Sequence, residues 1–255
     1  MKLATWNVNS LKVRLGQLLE WIPAGAPEVI CLQETKLDDS KFPVEEIESA
    51  GYQVVFSGQK TYNGVAIASR TPCFDVVRGI PGFDDEQKRV IAATVGTMRI
   101  VDAYVPNGQS VDSDKFRYKL GWLSAFTGWL EEELARYPEI AVVGDFNIAP
   151  EPRDVHDPEA WEGQVLFSEP EREAFQRLVD VGFIDSFRLF EQPEKSFTWW
   201  DYRLNAFKRG MGLRINHILL SPALAERCRR VSIVKDMRAL ERPSDHAPVV
   251  AEFQL

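Results

Sequence analysis

In Ile140-Ala141-Val142-Val143-Gly144-Asp145-Phe146-Asn147 an apolar, β-branched run gives way at a glycine to an acid and an amide. Such a run reads as a buried strand with its polar chemistry at one end. The same order recurs where Leu3 to Thr5 leads into Trp6-Asn7 and where Val29 to Leu32 leads into Gln33-Glu34, while Ser244-Asp245-His246 abuts the apolar run from Ala247. Side chains leaving strand ends can gather on one rim of a sheet, where the backbone is rigid and the groups meet solvent.

Working outward, strands are predicted over 2–8, 28–34, 54–57, 64–70, 90–95, 98–105, 140–148, 216–221, 231–235 and 247–253. Gly96-Thr97 between two β-branched runs predicts a hairpin, so part of the sheet is antiparallel and the chain is not a simple βαβ array. Leu11, Leu15, Leu18 and Ile22 form a helical stripe with Ser10 as its expected N-cap, and Phe116, Leu120, Leu123, Leu130 and Leu134 form another. Ser168 and Glu171 read as a capping box ahead of Phe175, Leu178 and Val179, with Gly182 as the stop. Two packed sheets with outer helices bury all these faces economically. The segments 150–167 and 198–214 fit no period; lying beside Asp145, Asn147 and Asn216, they are expected to wall a site.

The 255 residues carry no linker-like tract and read as one domain, 1–255, and 45% hydrophobic content suffices for a core without staples. Three cysteines, Cys31, Cys73 and Cys228, without Cys-x-x-Cys spacing, fit a reduced, cytoplasmic setting. No apolar stretch reaches the roughly 18 residues that would span a bilayer. A net charge of −8 argues against coating nucleic acid by bulk electrostatics. Residues 195–214 nevertheless hold Lys195, Arg203, Lys208, Arg209 and Arg214 against Asp201 alone, interleaved with Phe197, Trp199, Trp200, Tyr202 and Phe207. That mixture suits gripping a phosphate backbone and stacking bases, and equally suits a solvated loop over core aromatics.

If Glu34, Asp145 and Asp245 converge, each carboxylate pair 4 Å apart repels by about 4 kcal/mol at an effective dielectric of 20, so a cation or proton must compensate. Oxygen ligands point to Mg²⁺ or Mn²⁺; the scattered His156, His217 and His246 make a poor zinc set. Phosphodiester hydrolysis needs charge neutralisation at phosphate, a group that activates water and donors for the developing oxyanion. Glu34 with Asn7 and Asp245 is expected to hold the ion, Asp145 to orient or deprotonate water, and Tyr104, Asn147 and His246 to touch phosphate. His156 is expected in a local loop bond, His217 in a structural role, Cys31 as buried filler, and Trp122 and Trp129 in the core.

At Thr5-Trp6-Asn7-Val8-Asn9, Leu32-Gln33-Glu34-Thr35-Lys36, Tyr104-Val105-Pro106-Asn107-Gly108, Gly144-Asp145-Phe146-Asn147, Thr198-Trp199-Trp200-Asp201-Tyr202-Arg203, Gly212-Leu213-Arg214-Ile215 and Ser244-Asp245-His246-Ala247-Pro248, the chain resembles the exonuclease III family of AP endonucleases. The resemblance covers essentially the whole chain. It implies a four-layered α/β sandwich of two packed mixed β-sheets flanked by helices, acting as a monomer on duplex DNA. It implies cleavage 5′ to abasic sites and work at 3′ ends as 3′-to-5′ exonuclease and 3′-phosphatase. It also implies metal-site roles for Asn7 and Glu34, water activation by Asp145, phosphate contacts at Tyr104 and Asn147, a final acid–histidine pair in Asp245 and His246, and substrate contacts at Asn107, Trp199, Leu213 and Arg203. One departure stands out: the family pattern has Asp where this chain has Asn216, and that Asp supports the histidine. Two other readings follow from the same residues, a phosphatase or phosphodiesterase of the wider superfamily acting on a non-nucleic-acid substrate, and a lesion-binding protein whose turnover Asn216 has impaired.

Overall fold

The computed structural model describes residues 1–254. One six-stranded sheet has the spatial order β13 (Cys228–Ile233), β14 (Val249–Phe253), β1 (Lys2–Asn7), β2 (Val29–Gln33), β4 (Val65–Ser69), β3 (Gln53–Ser57). The second has the order β5 (Cys73–Arg78), β6 (Val90–Val95), β7 (Met98–Tyr104), β8 (Ile140–Asp145), β12 (Asn216–Leu220), β9 (Ile184–Asp185). Each sheet has one parallel pair at its centre, β1 with β2 and β7 with β8, among antiparallel neighbours. The hairpin at Gly96-Thr97 joins β6 to β7 as the sequence predicts. A two-residue pair, β10 (Trp199–Trp200) with β11 (Gly212–Leu213), lies in the segment that showed no period.

Alternation along the strands divides the core into layers. Leu3, Val29, Cys31, Val65 and Ile67 of the first sheet pack against Ile91, Ile100, Ala141, Val143 and Ile218 of the second. The intervening residues face outward: Trp6, Ile30 and Leu32 meet α1 (Leu11–Gly25) and α2 (Val44–Ser49). On the other side Val101, Val142 and Phe146 meet α3 (Asp114–Arg136) and α5 (Glu169–Val181). The result is the helix–sheet–sheet–helix sandwich expected from the resemblance. Two short helices, α4 (Pro158–Trp161) and α6 (Pro222–Arg227), flank these layers.

Two buried polar groups bridge the sheets below the rim. Gln33 Nε2 donates to Asp102 Oδ1 at 2.6 Å and to Thr5 Oγ1 at 2.9 Å. Burial holds the Asp102 carboxyl well above the usual carboxylate range.

The helix ends qualify the expected caps. Glu171 accepts from the backbone N of Ser168, and Gly182 ends α5 with φ +126°. Ser10 occupies the N-cap of α1 without a side-chain bond, because its φ of +90° is outside the extended range from which a hydroxyl reaches the N2 or N3 amide. Strand β5 escapes the sequence reading because it is an edge strand, largely exposed and interrupted by an irregular register between Phe74 and Val77, so it lacks a continuous apolar face.

Candidate active site

The four central strands β1, β2, β7 and β8 end on the same rim, delivering Asn7, Glu34, Tyr104 and Asp145 together. Antiparallel β12 begins there, with Asn216 directly opposite Asp145 in register, and His246 arrives on the segment before β14. Gly144 is required at the turn into Asp145: its φ is +143° and a Cβ would collide with the Ala103 carbonyl. Non-glycine residues with left-handed backbone gather at this rim, Asn9 at φ +42°, Glu34 at +52°, Lys36 at +55° and Asn147 at +50°. Such conformations persist where the surrounding contacts over-determine them, often at functional sites.

Glu34, Asp145 and His246 each offer a ligand atom, and these atoms lie within 4.8 Å of one another. His246 Nε2 is 3.6 Å from Asp145 Oδ2. Asn7 Nδ2 donates to both carboxylates, at 2.9 Å to Glu34 Oε1 and 2.8 Å to Asp145 Oδ2, while its Oδ1 accepts from the Asn9 amide. In this arrangement Asn7 tethers the two acids, and its own oxygen is engaged. Burial raises the Asp145 pKa, and Glu34 adds to the rise, while His246 and the Asn7 bond oppose it. Two carboxylates so close and partly desolvated suit a divalent cation, with the imidazole beside them.

Asp245 stands outside that group. Its Oδ1 accepts from Asn9 Nδ2 at 2.8 Å and its Oδ2 from Trp199 Nε1 at 2.9 Å, so it ties the metal-site rim to the aromatic wall. Tyr104 is half-buried beside Glu34; burial, then the two nearby carboxylates, push its phenol pKa well up, so it remains a neutral O–H donor. Asn147 Nδ2 donates to the Val105 carbonyl at 2.9 Å, and Asn107 Nδ2 reaches Asn147 Oδ1 at 3.3 Å. Asn107 is exposed at the edge of a cavity of about 680 Å³ lined also by Tyr62, Arg89 and Lys115.

His246 Nδ1 is 2.9 Å from Asn216 Oδ1, and Asn216 Nδ2 is buried without a partner. Thr198 Oγ1 receives the backbone N–H groups of Ile215 and Asn216, which holds Asn216 in place. Trp199 is half-buried and pairs with fully buried Leu213 in the two-residue ribbon, and Leu213 packs with Val155, Leu166 and Phe167. The two segments without a period therefore close on each other as one wall. Arg203 is exposed, paired with Asp201 at 2.7 Å. Arg214, counted above among surface cations, is instead buried between Asp154 and Asp185. That changes the local balance: the loop's exposed cations are Lys195, Arg203, Lys208 and Arg209.

His217 is buried with Nε2 2.8 Å from the Ile148 carbonyl and Nδ1 3.0 Å from Arg214 Nη1, a structural placement; burial and the Arg214 charge push its pKa down to about 4. His156 Nδ1 meets the Gly212 carbonyl at 3.2 Å, a local loop bond. Sequence reasoning passed over Asn9, Lys36 and Thr198, although all three lie inside the quoted motifs. Lys36 Nζ is 2.9 Å from Glu34 Oε2 and 2.5 Å from Asn9 Oδ1. Nothing singled out Lys119, one of several charges along its helix, and Glu171 was expected only as a helix cap.

Comparison with known proteins agrees with this fold. Residues 4–246 match the Endonuclease/Exonuclease/phosphatase family. The chain is 40% identical to exodeoxyribonuclease III of Haemophilus influenzae, with all of both chains covered. Among solved structures it is similar to a 3′ phosphatase from Neisseria bound to a product DNA hairpin, at 48% identity and TM-score 0.98 over all of both chains. It is also similar to an AP endonuclease from Archaeoglobus fulgidus, at 40% identity and TM-score 0.96 over all of both chains. The chain therefore belongs to the endonuclease/exonuclease/phosphatase family and, within it, to the exodeoxyribonuclease III group of DNA-repair nucleases.

Proposed function

We propose that this nuclease cuts duplex DNA on the 5′ side of abasic sites and also trims 3′ ends, as 3′-to-5′ exonuclease and 3′-phosphatase, working as a monomer in the cytoplasm. The convergence of Glu34, Asp145 and His246 on one point carries the reading. Glu34 and Asp145, steadied by Asn7, would hold Mg²⁺ or Mn²⁺, which would supply charge neutralisation at the phosphate. Asp145, on the same point as Glu34 and His246, is the group placed to orient or deprotonate the attacking water. Tyr104, Asn147 and Asn107 donate to phosphate oxygens, and His246 faces the same oxygens from the other side. Asp245 acts from outside, fixing Asn9 and Trp199 at the rim.

Duplex DNA is favoured over a small headgroup because the wall beside the site presents Trp199 and Tyr202 with Arg203, Lys208 and Arg209 exposed nearby. Trp199 and Leu213 would receive an extruded abasic sugar. The three cysteines are free, in keeping with a reducing compartment, and no helix among the described residues is long and apolar enough to cross a membrane. The reading of an impaired lesion binder draws on the unpartnered amide of Asn216, but an intact acid cluster makes turnover the better account.

The test is a labelled duplex with one abasic-site analogue, run beside a recessed 3′ end and a 3′-phosphate end, with Mg²⁺ or with chelator. A single metal-dependent cut 5′ to the lesion, with nucleotide or phosphate release from the ends, is expected. Retention of the duplex without product would favour the binder, and cleavage indifferent to chelator would overturn the assignment.

A further inference from the structure

Lys119 is a fully buried ammonium on α3, beneath the two loops that carry Asn107 and Asn147. Its Nζ donates to the Asn107 carbonyl at 3.1 Å, to the Asn147 carbonyl at 2.7 Å and to the Glu171 carboxylate, so its three protons are all engaged. Glu171, equally buried on α5, also accepts from the amides of Leu166 at 3.0 Å and Ser168 at 3.1 Å and from the Ser168 hydroxyl at 2.6 Å. Burial lowers the Lys119 pKa, and the Glu171 charge opposes that shift.

A buried ion pair is a weak source of stability, since well-packed apolar side chains of similar volume usually serve as well or better. What apolar side chains cannot do is draw two backbone carbonyls to one point. Asn107 follows β7 and Asn147 follows β8, and the strand hydrogen bonds stop at Tyr104 and Asp145, short of both. Beyond the strand ends, Lys119 joins the two main chains through one ammonium group, beside the side-chain bonds of Asn147. It anchors Asn147 in its left-handed conformation while the side-chain amide of Asn147 is held by Val105 and Asn107.

We propose that Lys119, locked by Glu171, is a positioning residue that sets the amides of Asn107 and Asn147 in register with the scissile phosphate, an inference that rests on the phosphate-binding reading of those two asparagines. The charge is kept for geometry, at the cost of desolvation.

The test is the pair variant Lys119→Met with Glu171→Gln, which removes both charges and leaves a carboxamide oxygen at position 171 for the helix-cap amides. The melting temperature is expected to fall, since two carbonyls and one helix-cap amide lose partners, with the variant still folded, while kcat on the abasic duplex falls about 10- to 100-fold, as a displacement on the ångström scale would cause. In an Asn147→Ala background the same pair change costs markedly less, leaving only its effect through Asn107. The matched control is Arg99→Met with Glu133→Gln, removing a buried pair remote from the rim, which leaves kcat unaltered. Full turnover in the folded Lys119 pair variant, or an equal loss with and without Asn147, overturns the proposal and makes the pair merely structural. Unimpaired turnover of Asn147→Ala alone would instead overturn the phosphate-binding reading of Asn147, a separate result. Should the pair variant not fold, Glu171→Gln alone is measured: a fall in kcat of at least about threefold that shrinks in the Asn147→Ala background supports positioning, and full turnover or an undiminished fall overturns it.

Discussion

Asn216 Oδ1 accepts a hydrogen bond from His246 Nδ1 at 2.9 Å while the other half of the same amide is buried without a partner. The amide fixes the ring through one oxygen and offers no negative charge to favour an imidazolium. The ring's other nitrogen, Nε2, lies 3.6 Å from Asp145 Oδ2. Asn216→Asp is therefore expected to raise turnover roughly tenfold to a thousandfold, less than the ~10⁴ effect of the analogous change in a protease triad, because Asp145 and the metal remain. Single-turnover rates of the two forms at saturating Mg²⁺ check this, and equal rates would refute it.

The proposed function gives Asp145 the task of orienting or deprotonating water. Asn at this position keeps the shape and can still meet Asn7, but it cannot accept a proton from water. Turnover of Asp145→Asn should drop by about 10²- to 10⁴-fold while affinity for an uncleavable abasic duplex stays near the parent value. Loss of binding in parallel with turnover would show that Asp145 serves substrate capture instead.

The Trp199 wall should matter most where a base is missing. Trp199→Ala removes a stacking surface of about 1–3 kcal/mol, so incision at an abasic site is expected to weaken roughly 5- to 150-fold. Release from a recessed 3′ end should suffer less, and Trp199→Phe should recover part of the loss while still lacking the bond to Asp245. A uniform defect on both substrates would count against a lesion-facing wall.

His217 links stability to acidity. Its folded pKa of about 4 lies below the ordinary 6.5, so the unfolded chain takes up the proton first as pH falls. Stability present above pH 6.5 is thus lost progressively down to pH 4, by roughly 3 kcal/mol in total. His217→Gln keeps a donor for Ile148 and an acceptor for Arg214 without the titration. The melting temperature of the variant should fall less than the parent's between pH 7 and 4.5; parallel curves would exclude His217 as the source.

How much of this was legible depends on where each residue's partner lies. Apolar runs ending in Asn7, Glu34 and Asp145 revealed their strands because the central strands are buried on both faces, and a buried strand needs no alternation to be seen. Edge strand β5 and the two-residue ribbon gave no such signal. Motif order identified Asn107, Trp199, Leu213 and His246 as rim residues, but residue type alone could not distinguish a ligand from a tether. Asn7 bridges the acids, and Asp245 is committed to Asn9 and Trp199. Arg214 looked like a surface cation because its neutralising partners, Asp154 and Asp185, are 60 and 29 positions away. Lys119 was hidden for the same reason: its importance comes from two carbonyl groups, and every residue has one.

The Gln33–Asp102 clasp joins the sheets one residue below Glu34, and the chemical groups above it are divided between those sheets, Asn7 and Glu34 on one, Tyr104 and Asp145 on the other. Neither half-molecule holds a complete reaction centre. A slip of one layer over its neighbour, too slight to expose the interior, would silence the enzyme while leaving its spectroscopic signature of folding intact. Catalysis is thus the most sensitive gauge of whether the two leaves of this protein are aligned.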